Sequence, residues 1–217
     1  MTTEVQILVL TAASVGFFHT LLGPDHYLPF ILIGKARNWK MRKILIWTVI
    51  CGIGHILSSV LLGAVGISLE VQLSKLTWIE SIRGDIASWA LITFGLLYAL
   101  WGIRHWYKHS EHHHAVSSHK ADSKKMTPWV LFIIFVLGPC ELLIPILMYP
   151  SVAESTSALI LVTSVFGVVT LITMVSIVLI TSYGLSFVPL KKIEKYGHTV
   201  AGLLIFFSGV AIQALGI

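Results

Sequence analysis

The sequence predicts an all-α polytopic membrane protein with six transmembrane helices, arranged as two inverted three-helix repeats with broken first and fourth helices. The chain of 217 residues is 56% hydrophobic and only 12% charged, which is too apolar for a soluble domain of this length. Six apolar stretches approach or exceed the roughly 20 residues that cross a bilayer core. They cover residues 5–34, 44–66, 86–104, 129–149, 158–188 and 199–217.

The first apolar stretch is expected to remain in the mature protein. Glu4 precedes it and no basic residue does, unlike the start of a cleavable signal peptide. The two cysteines, Cys51 and Cys140, both fall inside predicted spans, so a disulfide framework is not expected.

Basic residues predict the orientation in the membrane. The net charge of +5 is concentrated in three loops, at residues 35–43, 104–125 and 191–195. Cytoplasmic loops accumulate Lys and Arg, so these three loops are expected in the cytoplasm and both termini outside the cell membrane. This distribution points to the lipid bilayer as the partner and not to nucleic acid, and it leaves homo-oligomerisation open.

The segment from 69 to 82 predicts a short helix lying on the outer membrane surface. Leu69, Leu73, Leu76 and Ile79 alternate there with polar residues, as in an amphipathic interfacial helix.

A motif shared by the first and fourth spans indicates an internal repeat. Residues 23–29 read GPDHYLP, and residues 138–145 read GPCELLIP. Three spans in each half is an odd number, so the second half would enter the membrane from the opposite side, as in many secondary transporters. The predicted organisation is a first repeat at 1–105, a histidine-rich cytoplasmic loop at 106–127 and a second repeat at 128–217.

Polar side chains near the membrane centre form the candidate site. Each ionisable group there costs about 2.5–3.5 kcal/mol on insertion scales, so such groups normally serve a function. The prolines of the two motifs interrupt the helices and free carbonyl groups, which is tolerated where they line a cavity. Imidazole with carboxylate suits nickel, cobalt or zinc better than calcium or magnesium. The candidate metal ligands are His19, Asp25, His26, His55, Cys140 and Glu141.

The loop after the third span is rich in histidine. Six of the ten histidines lie between residues 105 and 119. Such a segment can capture or sense transition metal at the cytoplasmic face, although a simply solvated loop is the alternative.

The residues HTLLGPDH at 19–26 resemble the first signature of UreH-like proteins, relatives of the nickel/cobalt transporter (NicO) superfamily. The resemblance implies a transporter of nickel or cobalt, with zinc less favoured, no permanent cofactor and no enzymatic reaction. It further implies that His19, Asp25 and His26 bind the metal, with His55 as another ligand. Cys140 and Glu141 would be additional ligands or a protonated coupling group.

Two alternatives stay open. Gly138-Pro139-Cys140 followed by Pro145 also resembles the CcdA family and its DsbD relatives, which carry electrons through a cysteine in each half. In this chain the matching position of the first half is Asp25 instead of a cysteine, and Cys51 lies in another span. The usual pair of cysteines is therefore missing. The other alternative is a metal-binding accessory protein that does not transport. The direction of transport is also open.

Overall fold

The computed structural model describes residues 3–111, 123–138, 142–149, 155–185 and 196–215, without side chains at 105–111 and 123–126. Every regular element in these ranges is helical, which confirms the all-α prediction. The helices are α1 (Thr3–Leu22), a 3₁₀ turn (Pro24–His26), α2 (Leu28–Ala36), α3 (Met41–Ser68), α4 (Leu73–Glu111), α5 (Ser123–Leu137), α6 (Leu143–Leu147), α7 (Thr156–Gly184) and α8 (Gly197–Leu215).

Five helices in the described ranges are long and apolar enough to cross a membrane, which makes the chain a multi-pass membrane protein. They are α1, α3, α4 up to Arg104, α7 and α8. The apolar part of α5, Thr127–Leu137, is too short to span a bilayer alone. Within the described residues, the stretch predicted as a fourth span contains part of α5 and all of α6.

The first predicted span is interrupted at its Gly-Pro pair. After α1 ends at Leu22, the Gly23 N–H still donates to the His19 carbonyl at 3.0 Å, but Pro24 has no N–H to continue the ladder. The chain makes a single 3₁₀ turn, and α2 then begins with Pro29 in its first turn. In the second motif, α5 ends just before Gly138.

The predicted interfacial helix at 69–82 is wrong as a separate element. From Leu73 onward, this segment is the beginning of α4, which continues without interruption to Glu111. Of its polar residues, Glu80 is fully buried and forms an ion pair with Arg83 one turn later, whereas Gln72, Ser74, Lys75 and Ser81 are exposed. The exposed polar side chains give the first turns of this long helix the pattern of a surface helix.

Helices α4 and α8 pack closely against each other. A Cβ on Gly95 would overlap the backbone of Phe206, and one on Gly202 would overlap the backbone of Ala99, so α4 and α8 touch backbone to backbone. Small residues commonly permit such contacts between membrane helices. Large apolar side chains such as Leu10 and Ile180 are exposed on the outside of the bundle, as expected for lipid contact.

Candidate metal site

Three histidines from separate elements converge. His19 lies in the last turn of α1, His26 ends the 3₁₀ turn and His55 lies in the middle of α3. The ring centroids are 4.7 Å apart for His19 and His26, 5.1 Å for His26 and His55, and 6.5 Å for His19 and His55. One potential ligand nitrogen from each ring lies within 4.8 Å of the other two. We call these residues the histidine triad.

The interruption of the first span creates this convergence. In a continuous helix, seven residues rise about 10.5 Å, so His19 and His26 would lie two turns apart. The 3₁₀ turn brings their rings into edge-to-face contact instead. Gly23 is needed here because a Cβ at this position would lie 2.6 Å from Nδ1 of His26.

The Nε2 atoms of the histidine triad are buried and make no hydrogen bond within the described residues. His26 and His55 are each only 3% exposed. Among the residues that the structure describes, the buried Nε2 atoms of His19, His26 and His55 have no hydrogen-bond partner. A buried polar atom without a partner costs about 1–3 kcal/mol, so an occupant that accepts these lone pairs is favoured.

Hydrogen bonds on the opposite ring nitrogens select the tautomers. Nδ1 of His55 lies 3.1 Å from the carbonyl oxygen of Phe135. A carbonyl only accepts, so this Nδ1 carries the proton and Nε2 of the neutral ring presents a lone pair. In the same way, Nδ1 of His26 donates to the Gly23 carbonyl at 3.2 Å and to Oδ1 of Asp25 at 3.1 Å. Metal-binding histidines typically donate their second nitrogen to a carbonyl or carboxylate.

The carbonyl of Phe135 lies near the end of α5 and accepts two hydrogen bonds, one from the N–H of Gly138 at 3.0 Å and one from Nδ1 of His55. The residue four positions later, Pro139, has no N–H to donate to it. Both Gly-Pro pairs thus contribute to the same site, one by turning the chain at His26 and the other by leaving a lone pair of this carbonyl for His55.

The triad can surround one ion. Ligand nitrogens about 2.0–2.1 Å from a metal lie about 3.4 Å apart in a tetrahedral shell. The rings therefore need to move slightly inward to close around the ion. Three ligands leave one position open for water or another ligand, which is typical of sites that exchange what they bind.

The structure places Asp25 differently from the three histidines. Its Oδ1 contacts Nδ1 of His26, and it is not part of the group of converging ligand atoms. Its observed contact orients the His26 ring.

Cys140 and Glu141 lie outside the described residues, as do His112, His113, His114 and His119 of the histidine-rich loop. These predictions stay predictions. Cys51, one turn before His55, is fully buried in the apolar core.

The triad lines a cavity of about 570 Å³ together with polar residues that the sequence did not predict. These residues are Asp85 and Ser88 of α4 and Gln213 of α8. Gln213 donates to Asp85 at 3.2 Å and accepts from Ser88. The signal available in the sequence was an acidic residue directly before the apolar stretch at 86–104.

Residues 28–211 match the family model for the transmembrane region of cytochrome c biogenesis proteins. The chain belongs to this family. The match supports the more distant of the two resemblances, the CcdA and DsbD scaffold, and gives no support to the resemblance to nickel/cobalt transporters. Taken alone, membership of the cytochrome c biogenesis transmembrane family favours the thiol-electron carrier over the metal transporter. Searches of curated proteins and of solved structures gave no match.

The extent of the family match bears on the site. His19 and His26 precede residue 28, and only His55 of the triad lies inside the matched region. The family match therefore describes the scaffold and leaves most of the triad outside it.

Proposed function

We propose that this protein binds a divalent transition-metal ion at the histidine triad and carries it across the membrane. One observation carries the proposal: three histidines bring ring nitrogens within 4.8 Å of one another, their buried Nε2 atoms have no partner among the described residues, and two of the rings are oriented by hydrogen bonds at Nδ1. Nitrogen ligands favour nickel, cobalt or zinc over magnesium and calcium. We propose nickel or cobalt as the cargo, with zinc as a further candidate.

We further propose that the two halves form an inverted repeat of six spans, with α5 and α6 together as the fourth span. In support, α1 packs against α7 and α5 packs against α3, so the broken helix of each half contacts the second helix of the other. Interrupted helices at the interface of two such repeats are the usual place for a transported ion. Under this proposal the termini lie outside and the histidine-rich loop lies in the cytoplasm, following the positive-inside rule.

The family match favours a second function, transmembrane thiol-electron transfer. That activity would require Cys51 and Cys140 to exchange a disulfide, since the chain has two cysteines. Burial of Cys51 in the apolar core limits its access to a partner thiol. The corresponding first-half position, Asp25, hydrogen-bonds to His26 and cannot supply a thiol.

Metal content of cells that express the protein separates these functions. We expect the wild type to change nickel or cobalt content, and His26→Ala and His55→Ala to abolish the change while the protein still inserts. The double variant Cys51→Ser, Cys140→Ser should retain part of the effect. His198→Ala is the matched control, because that ring contacts Tyr98 and not the triad.

The opposite pattern identifies the thiol carrier. In that case metal content is unaffected, alkylation detects a change in the redox state of Cys51 and Cys140, and the histidine variants behave like the wild type. A protein that binds metal in a His26-dependent manner and leaves cellular metal content unchanged would be an accessory protein instead of a transporter.

A further inference from the structure

An arginine inside the bundle joins three helices beside the triad. Arg83 of α4 is half-buried and forms an ion pair with the fully buried Glu80. Its guanidinium also donates to two hydroxyl groups of α3 and two carbonyl groups at the end of α5. These contacts are Ser58 Oγ at 2.7 Å, Ser59 Oγ at 3.5 Å, Val136 O at 2.8 Å and Gly138 O at 3.3 Å.

Both sets of contacts lead to His55. On the α5 side, Val136 follows Phe135, the residue whose carbonyl accepts from Nδ1 of His55. On the α3 side, the Ser58 hydroxyl that accepts from Arg83 donates to the His55 carbonyl at 2.7 Å. One side chain thus holds the backbone of His55 and the acceptor that orients its ring.

We propose that Arg83 is a positioning residue of the metal site, which fixes the last turn of α5 so that Phe135 directs Nε2 of His55 toward the ion. The inference rests on the proposed metal-binding function and deepens it. Arg83 does not touch the metal and acts only through His55.

The chemistry of the guanidinium fits this role. The last carbonyls of a helix lack intrahelical donors and carry partial negative charge, so a cation is stabilised there. A planar guanidinium spans several acceptors at once, whereas the ammonium of lysine acts as a compact point charge on a flexible stem. Arginine is therefore needed to hold Val136, Gly138 and Ser58 together.

Glu80 removes an electrostatic penalty of this arrangement. A positive charge near the triad would repel a divalent cation. The ion pair with Glu80 offsets that charge, so Arg83 orients the site without opposing the ion. Glu80→Gln is therefore expected to weaken metal binding even though the α5 contacts remain.

The test is a Co²⁺ titration of the purified full chain in detergent, followed by visible absorption. We expect Arg83→Lys to raise the Kd about 10- to 100-fold, the usual effect of losing a group that orients a metal ligand. The spectrum should also change, because His55 no longer completes the ligand set. Arg37→Lys is the control, since Arg37 contacts Tyr98 and does not line the cavity; it should bind like the wild type.

A double-mutant cycle distinguishes positioning from a general loss of structure. If Arg83 acts through His55, adding Arg83→Lys to His55→Ala should change the Kd less than twofold. An equal loss in both backgrounds would overturn the proposal, as would wild-type affinity in Arg83→Lys. Should Arg83→Lys fail to fold, the double variant Glu80→Gln, Arg83→Gln replaces it in the same cycle, because it leaves no unpaired buried charge and still removes the guanidinium from the α5 carbonyls.

The wild type and His26→Ala test the underlying function separately. Co²⁺ binding that depends on His26 but not on Arg83 supports the metal site and refutes the role of Arg83. If the wild type does not bind Co²⁺, or His26→Ala binds it equally well, the metal site and the inference built on it are both refuted.

Discussion

Adding one methyl group at Gly23 tests the geometry of the triad without removing any ligand. The φ of Gly23 is −87°, which alanine also adopts, so Gly23→Ala does not strain the backbone. The new Cβ would lie 2.6 Å from Nδ1 of His26 and 2.9 Å from Oδ1 of Asp25. Because ordinary contact begins at 3.4 Å, the His26 ring has to retreat by the difference, about 0.8 Å.

That displacement exceeds what the site tolerates. Metal and catalytic sites need their ligands within about 0.5 Å of the productive position. The ring would also lose its orienting bond to Asp25, now 3.1 Å long. We expect the Kd for Co²⁺ to rise about 10- to 100-fold, which corresponds to about 1.4–2.8 kcal/mol.

Competition with a chromophoric chelator measures this Kd in detergent. Gly184→Ala is the control, because a Cβ there has no atom within 4 Å and metal binding should be unchanged. Thermal unfolding of both variants, read by circular dichroism, identifies any loss of folded protein. A folded Gly23→Ala variant that binds Co²⁺ as tightly as the wild type would refute the placement of His26 in the site.

Three further predictions follow from the geometry. Asp25→Asn should weaken Co²⁺ binding about tenfold, because Asp25 orients the His26 ring through Nδ1; an unchanged Kd would contradict this orienting role. Co²⁺ at about 100 times its Kd should raise the free energy of unfolding by about 2.7 kcal/mol and so raise the Tm. EDTA should reverse this increase in Tm. A Tm that does not change with Co²⁺ would contradict a metal site in the folded protein. Gly202→Ala should lower the free energy of unfolding by about 1–3 kcal/mol, because its methyl group overlaps the Ala99 backbone. Gly197→Ala is the control and should leave the stability unchanged, since a Cβ there has open space around it. Equal Tm values for the two variants would contradict the close α4–α8 contact.

The histidines of the triad were predictable because polar residues are conspicuous in an apolar sequence. His19, His26 and His55 interrupt stretches that otherwise exclude ionisable groups, and membrane insertion makes such groups costly. The Gly-Pro pair also predicted correctly that the first span is broken. Local sequence therefore located the three histidines that converge in the fold.

The role of Asp25 was not predictable in the same way. A carboxylate beside a histidine can bind the metal or orient the neighbouring ring, and only the geometry of the 3₁₀ turn places its oxygen on Nδ1 of His26. Spacing along the chain does not contain that information.

Arg83 and Glu80 show the corresponding limit for tertiary structure. Glu80 lies in the segment with the alternating pattern of a surface helix, and Arg83 directly follows that segment. The burial of this pair depends on Ser58 of α3 and the carbonyls of α5, which supply partners from distant parts of the chain. A charged residue is buried when partners exist, and partners are set by the fold.

The hydrogen bond between His55 and Phe135 also orders events during synthesis of the chain. All three triad residues are translated by residue 55, but the carbonyl that orients His55 follows 80 residues later. At about 5–20 residues per second, that interval lasts about 4–16 s. During it, the nascent chain contains all three histidines of the triad without the carbonyl that orients His55, so the His55 ring is oriented only after α5 packs against α3.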